Sequence, residues 1–134
     1  ANDDGIDDWD YCPENDAIVY SMLYGYVVIL PLNSNPDAEP KQLASRKLIL
    51  PSIKVSEDGK LLAVAGYVGL NDLSRIDVLR LDSGEVVHSV EPSATLIDMV
   101  WSDNDKALHV LVSRPDFQKE LLEVPIPKVP AASK

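Results

Sequence analysis

Residues 55–66 read VSEDGKLLAVAG, from Val55 to Gly66, and their reading decides the fold. Ser56-Glu57-Asp58-Gly59-Lys60 has the composition of a tight turn, because Asp and Gly tolerate the left-handed backbone that closes a hairpin while Ser and Asp side chains bond nearby amides. Leu61-Leu62-Ala63-Val64-Ala65 then forms a short apolar run stopped by Gly66. Its length and lack of helical spacing predict a buried strand.

The same turn followed by an apolar run recurs on either side. Pro13-Glu14-Asn15-Asp16 precedes Ala17-Ile18-Val19-Tyr20, and Ser102-Asp103-Asn104-Asp105-Lys106 precedes Ala107-Leu108-His109. With Pro13, Ser56 and Ser102 taken as equivalent starts, the spacings are 43 and 46 residues. A second pattern keeps the rhythm: VVILPL at 27–32, IDVLRL at 76–81 and LLEVPI at 121–126, whose ends are 49 and 45 residues apart. Alternation in the last two copies is what a strand with one buried face requires. Candidate first strands precede the turns at 6–12, 52–55 and 96–101. Outer strands are expected after the second and third patterns, clearest at EVVHSV (85–90), which follows the turn Asp82-Ser83-Gly84.

Four short strands in each unit of about 45 residues is the rhythm of a propeller blade. The residues VSEDGKLLAVAG and RIDVLRLDSGEVVHSV also resemble the turn, apolar strand and I-x-V-x-D-L-x-x-G repeat of WD40-like and TolB-type β-propellers, best over residues 51–90. The Gly-His and Trp-Asp marks of true WD40 repeats are absent, since Trp9-Asp10 lies in the wrong part of its unit. The expected organisation is one all-β domain over residues 1–127, with units at about 6–44, 51–90 and 95–127, and a Pro-rich tail at 128–134. The alternative fold is a small β-sandwich or barrel whose apparent repeats are ordinary hairpins.

Three units occupy the 134 residues, whereas closed propellers have about four to eight blades. Open sheet faces and strand edges favour association, so the expected partner is a second copy in a homodimer, another protein, or the rest of a larger parent chain. Hydrophobic residues make up 46% of the chain, enough for a packed core, and ten prolines against six glycines favour short elements.

The net charge of −10 is concentrated at one end: residues 1–40 hold nine acidic residues and no Lys or Arg. That segment repels polyanions, and no basic stripe compensates elsewhere, which argues against nucleic acid and anionic membrane surfaces as partners. Tyr26 to Leu32, the longest apolar candidate, is interrupted by Pro31 and falls short of the ~20 residues of a membrane helix, so no membrane insertion is expected. Cys12 is the single cysteine, which leaves no internal disulfide framework. A start at Ala1 without Met favours, by a small margin, a soluble periplasmic or secreted protein over an unknown compartment.

No motif here carries catalysis, a cofactor or a metal. Asp3, Asp4, Asp7, Asp8 and Asp10 offer hard oxygen ligands, but not in the order of an EF-hand loop, and read as an acidic arm or a partner-facing edge. His88 and His109 lie in expected strands without metal-ligand spacing and read as surface or edge residues, while Cys12 reads as a buried thiol. AGYVGLNDLS (65–74) lacks the Lys-Ser/Thr of a phosphate loop and reads as an exposed loop between the second and third strands of the middle unit. Recognition residues collect on such loops, so Tyr67, Asn71, Asp72 and Arg75 are candidate partner contacts. Tyr24 and Tyr26 join them from the cluster Tyr20, Met22, Leu23, Tyr24 and Tyr26, which otherwise packs between the first and second units.

The expected function is a non-enzymatic β-propeller-type protein-protein interaction module or subunit. The rival is an accessory propeller segment of a larger enzyme, such as a peptidase or oxidoreductase complex, with its catalytic groups outside this chain. The resemblance to TolB-type repeats extends to the propeller that gates prolyl-oligopeptidase-type peptidases. The far-UV circular dichroism spectrum is expected to be dominated by β-structure; a helix content above about one-third would overturn the all-β reading.

Overall fold

The computed structural model describes residues 6–14, 16–22, 26–32, 39–45, 49–67, 74–92, 94–116 and 118–126. These form three antiparallel sheets in chain order. The first holds β1 (Ile6–Cys12), β2 (Ala17–Met22), β3 (Tyr26–Pro31) and β4 (Lys41–Ser45). The second holds β5 (Ile49–Val55), β6 (Leu61–Tyr67), β7 (Ser74–Arg80) and β8 (Val86–Val90), and the third β9 (Thr95–Trp101), β10 (Ala107–Ser113) and β11 (Lys119–Pro125). Each sheet is a simple meander, so every strand pairs with its sequence neighbours.

The three sheets stack side by side, and the middle one is buried on both faces. Leu62, Val64, Leu79 and Leu81 meet Cys12, Val19 and Val27 of the first sheet. Ala63, Ala65 and Ile76 meet Met99, Leu108, Val110, Val112 and Val124 of the third. Leu61 to Gly66 are all buried, which accounts for the continuous apolar run with no polar alternation. Asp77, fully buried in β7, accepts hydrogen bonds from Ser89 Oγ at 2.6 Å and Arg75 Nε at 3.0 Å, which offset the loss of water around its charge.

The innermost strands β1 and β5 run in the same direction. Asp8 Oδ2 accepts from the Ile53 amide at 3.0 Å and Asp10 Oδ2 from the Val55 amide at 2.8 Å. Two of the aspartates read from sequence as an acidic arm therefore cap the exposed edge of the next sheet. On the other side, Trp101 Nε1 donates to the Lys54 carbonyl at 2.9 Å.

All three expected turns are present, with one shift of register. Ser56 N donates to the Leu61 carbonyl and Ser102 N to the Ala107 carbonyl, both at 2.9 Å, while each serine Oγ accepts from the returning amide at 3.0 Å. Pro13 has no N–H with which to make that bond. In strand register the last pair of the first hairpin is Cys12 and Ala17, so Cys12 stands where Ser56 and Ser102 stand, while within the turn Asp16 N donates to the Pro13 carbonyl as Gly59 N does to Ser56 and Asp105 N to Ser102. Left-handed residues complete the turns: Asp16 (φ 45°), Gly59 (φ 74°) and Asp105 (φ 55°).

Two further expectations are corrected, and a third falls outside the described residues. Ala65 and Gly66 belong to β6, and Ser74 and Arg75 to β7, so the loop expected over 65–74 narrows to residues 68–73, outside the described residues. β4 was not anticipated as a strand because KQLAS carries little β-propensity; Leu43 nevertheless packs on the first cluster, and β4 pairs with the edge of β3. The outer strand expected after residues 121–126 of the third unit and the tail at 128–134 lie outside the described residues, among which the third sheet has three strands.

The turns touch each other at one end of the stack. The Asp105 carboxylate accepts from the Glu57 and Asp58 amides, both at 2.9 Å. A Cβ on Gly59 would lie 2.8 Å from Glu14 Cβ and 3.0 Å from Cys12 Sγ, on a backbone that side chains rarely adopt. Gly59→Ala is expected to lower the unfolding free energy by about 1–3 kcal/mol from strain and contact together, and Asp105→Ala by about 1–2 kcal/mol from the lost charge-assisted hydrogen bonds. Urea midpoints check both; unchanged midpoints would remove the turn contacts as a source of stability.

Candidate interaction surfaces

Because the turns of the three sheets meet at one end, the hairpins β2–β3, β6–β7 and β10–β11 all lie at the other. This brings the candidate contact residues of two units to a common end. Tyr26 opens β3 opposite Met22 and is 42% exposed. Tyr67 closes β6 opposite Ser74, the first residue of β7, and Arg75 follows opposite Gly66. The Arg75 side chain is about one-third exposed and is held by its bond to Asp77, so its guanidinium is oriented before any partner arrives. Tyr24, Asn71 and Asp72 lie outside the described residues.

Tyr20 and Tyr26 of the tyrosine cluster do not pack between the first and second units. Tyr20 and Tyr26 alternate with Val19 and Val27, which face the second sheet, so the tyrosines face away from it. They belong to the outer face of the first sheet. Register places Trp9, Tyr20 and Val28 in one row and Tyr11, Ile18 and Leu30 in the next. Trp9 is 61% and Tyr11 44% exposed. Sequence reading missed Trp9 and Tyr11 because they sit among aspartates; their signal was the strict alternation of Asp8, Trp9, Asp10 and Tyr11.

The outer face of the third sheet is mixed in character. Asp98, Leu111 and Leu121 form one row, and Val100, His109 and Glu123 the next. Leu121 is 65% and Val100 52% exposed. His109 therefore lies on an open sheet face, and His88 is half-buried in the outer strand β8.

Tyr11 donates its hydroxyl to Asp16 Oδ1 at 3.0 Å. This bond, made only by the protonated phenol, raises the Tyr11 pKa above its usual value. At the pair Arg80 and Asp82, the hydrogen bond from Arg80 lowers the pKa of Asp82 below the ordinary carboxylate value.

The sequence matches no protein-family model and no curated protein. Solved structures do match. Kluyveromyces lactis Hsv2 aligns with a TM-score of 0.65 at 18% identity, covering 87% of this chain and 36% of that one. The β-propeller domain of Myceliophteria thermophila Cps50 (Swd1) aligns with a TM-score of 0.60 at 14% identity, covering 87% and 37%. The uncharacterized protein lmo1340 of Listeria monocytogenes aligns with a TM-score of 0.69 at 11% identity, covering 96% and 42%. The fold is thus that of a β-propeller segment. The chain spans well under half the length of each of these structures.

The phenol of Tyr11 is expected to titrate above the usual ~10, and Asp16→Asn to bring it back toward that value. Because the protonated form is favoured in the folded state, the contribution of this contact to stability is present below the unfolded pKa and is lost as pH rises through the folded one. Following the Tyr11 ring resonances by NMR through alkaline pH checks this; titration at or below the usual value would contradict the bond to Asp16.

Proposed function

We propose that this chain is a non-enzymatic β-propeller-type protein-protein interaction module that docks a protein partner at the end that carries its β2–β3 and β6–β7 hairpins. The observation that carries this reading is the placement of Tyr26, Tyr67 and Arg75, from two adjoining units, at one end of the sheet stack. Tyr and Arg are the residue types that dominate interface energetics, since they bring large contact area and planar hydrogen bonding at modest entropic cost. Tyr24, Asn71 and Asp72 extend the same surface in the proposal.

A second reading is favoured by the small share of each matched structure that the chain spans, 36–42% in the three cases described. In it, the chain is an accessory propeller segment of a larger enzyme, with catalytic groups supplied from outside these residues. The two readings differ in whether the captured partner is itself an enzyme that loses activity when separated from this chain.

The test is capture of the partner from the source lysate on immobilised chain, followed by affinity measurement with the purified partner. Tyr67→Ala and Arg75→Ala are each expected to weaken binding by about 10-fold or more, as truncation of an interface anchor does. Lys60→Ala, at the opposite end, is expected to leave it unchanged. Equal affinity for all three variants, with folding intact by circular dichroism, would reject this end as the docking surface.

A further inference from the structure

The two buried joints of the stack follow one rule, and the two open faces of the chain satisfy it for each other. At each joint, the face of one sheet that carries Asp8, Asp10, Val19 and Ser21, or their equivalents Ser52, Lys54, Ala63 and Ala65, meets the opposite face of the next sheet. That opposite face carries Ile53, Val55, Leu62 and Val64 in the second sheet and Met99, Trp101, Leu108 and Val110 in the third. With Cys12, Ser56 and Ser102 equivalent in strand register, the corresponding residues of the first sheet are Trp9, Tyr11, Ile18 and Tyr20, and among the described residues no preceding sheet lies against them. Among the described residues the first kind of face is likewise uncovered on the third sheet, where its residues are Asp98, Val100, His109 and Leu111.

The hydrogen-bonding groups of both existing joints also recur. Asp98 stands where Asp8 stands, and Asp8 accepts from the amide of Ile53, whose equivalent is Trp9. Tyr11 stands where Trp101 stands, and Trp101 donates to the carbonyl of Lys54, whose equivalent is Val100. The carboxylate and amide of the first joint are therefore present on the two open faces, as are the aromatic ring and the backbone acceptor of the second, with the Tyr11 hydroxyl itself donating to Asp16 within the chain.

We propose that the outer face of the first sheet, centred on Trp9 and Tyr11, docks on the outer face of the third sheet of a second copy of this chain, centred on Val100 and Leu121. Within one chain the two faces lie on opposite sides of the middle sheet, so the contact is between copies. Charge selects this arrangement over contact between two first sheets, because residues 1–40 carry nine acids and no bases, whereas residues 95–127 carry six acids and three bases. Applied twice, the head-to-tail joint gives a two-fold dimer of six units, within the four to eight blades of closed propellers and without a free face from which a fibre grows.

This joint is independent of the partner-docking end, and its test uses the purified chain alone. Light scattering and sedimentation should give a dimer mass at about 100 μM that dissociates on dilution. Trp9→Glu and Val100→Glu, both at exposed positions that leave the internal clusters intact, should each give a monomer with unchanged β-signature. Mixing the two variants should restore dimers, because the mixed pair keeps one unaltered joint between Trp9 of one copy and Val100 of the other. A monomer for the unaltered chain at that concentration would overturn the proposal. So would open-ended growth, or a mixture that stays monomeric as expected for contact between identical faces.

Discussion

The middle sheet has no face turned to water, and the rest of the molecule is arranged around that constraint. Its strand β6 presents Leu62 and Val64 to one neighbour and Ala63 and Ala65 to the other. The small residues let the third sheet come close enough for Trp101 to lie against the inner strand and bond its backbone. A sheet buried on both sides cannot tolerate unpaired polar groups. Its one buried carboxylate, Asp77, is accordingly met by a hydroxyl and a guanidinium, and the exposed edge of β5 is met by carboxylates from β1.

The edge capping by Asp8 and Asp10 gives the acidic opening of the chain a structural role. An inner strand offers a row of amides on the side away from its own sheet. Acidic side chains on the preceding inner strand satisfy two of those amides, at Ile53 and Val55, and their alternation sends Trp9 and Tyr11 to the opposite face. The same dipeptide rhythm thus builds one joint inward and one aromatic surface outward. At the other end of the strands, the Asp105 carboxylate on two amides of the neighbouring turn and the close approach of Gly59 to Glu14 hold adjoining units in register.

Much of this was legible in the sequence because turns and strands are local. The left-handed positions announced themselves as Gly or Asp, and the apolar runs after them became β2, β6 and β10. The resemblance of residues 51–90 to propeller repeats held because the middle unit has the most uniform environment, buried on both sides. β4 escaped because its stability comes from pairing with β3 and from Leu43 on a distant cluster, neither of which leaves a pattern in KQLAS. The first turn bond starts at Pro13, as the shared letters indicate, whereas the strand pair that flanks it falls one residue earlier, on Cys12 and Ala17, because Pro13 has no N–H to give the ladder.

The amino-acid sequence determined which segments extend, where they reverse, and that they repeat, since these follow from backbone preferences and side-chain alternation over a few residues. Tertiary structure decided which face of each sheet is covered. Tyr20 and Val19 are adjacent in sequence and both apolar enough to be buried, yet one faces the second sheet and the other the outside. That choice depends on how whole sheets stack, because a face is buried only when a neighbour with matching shape and hydrogen-bonding groups lies against it.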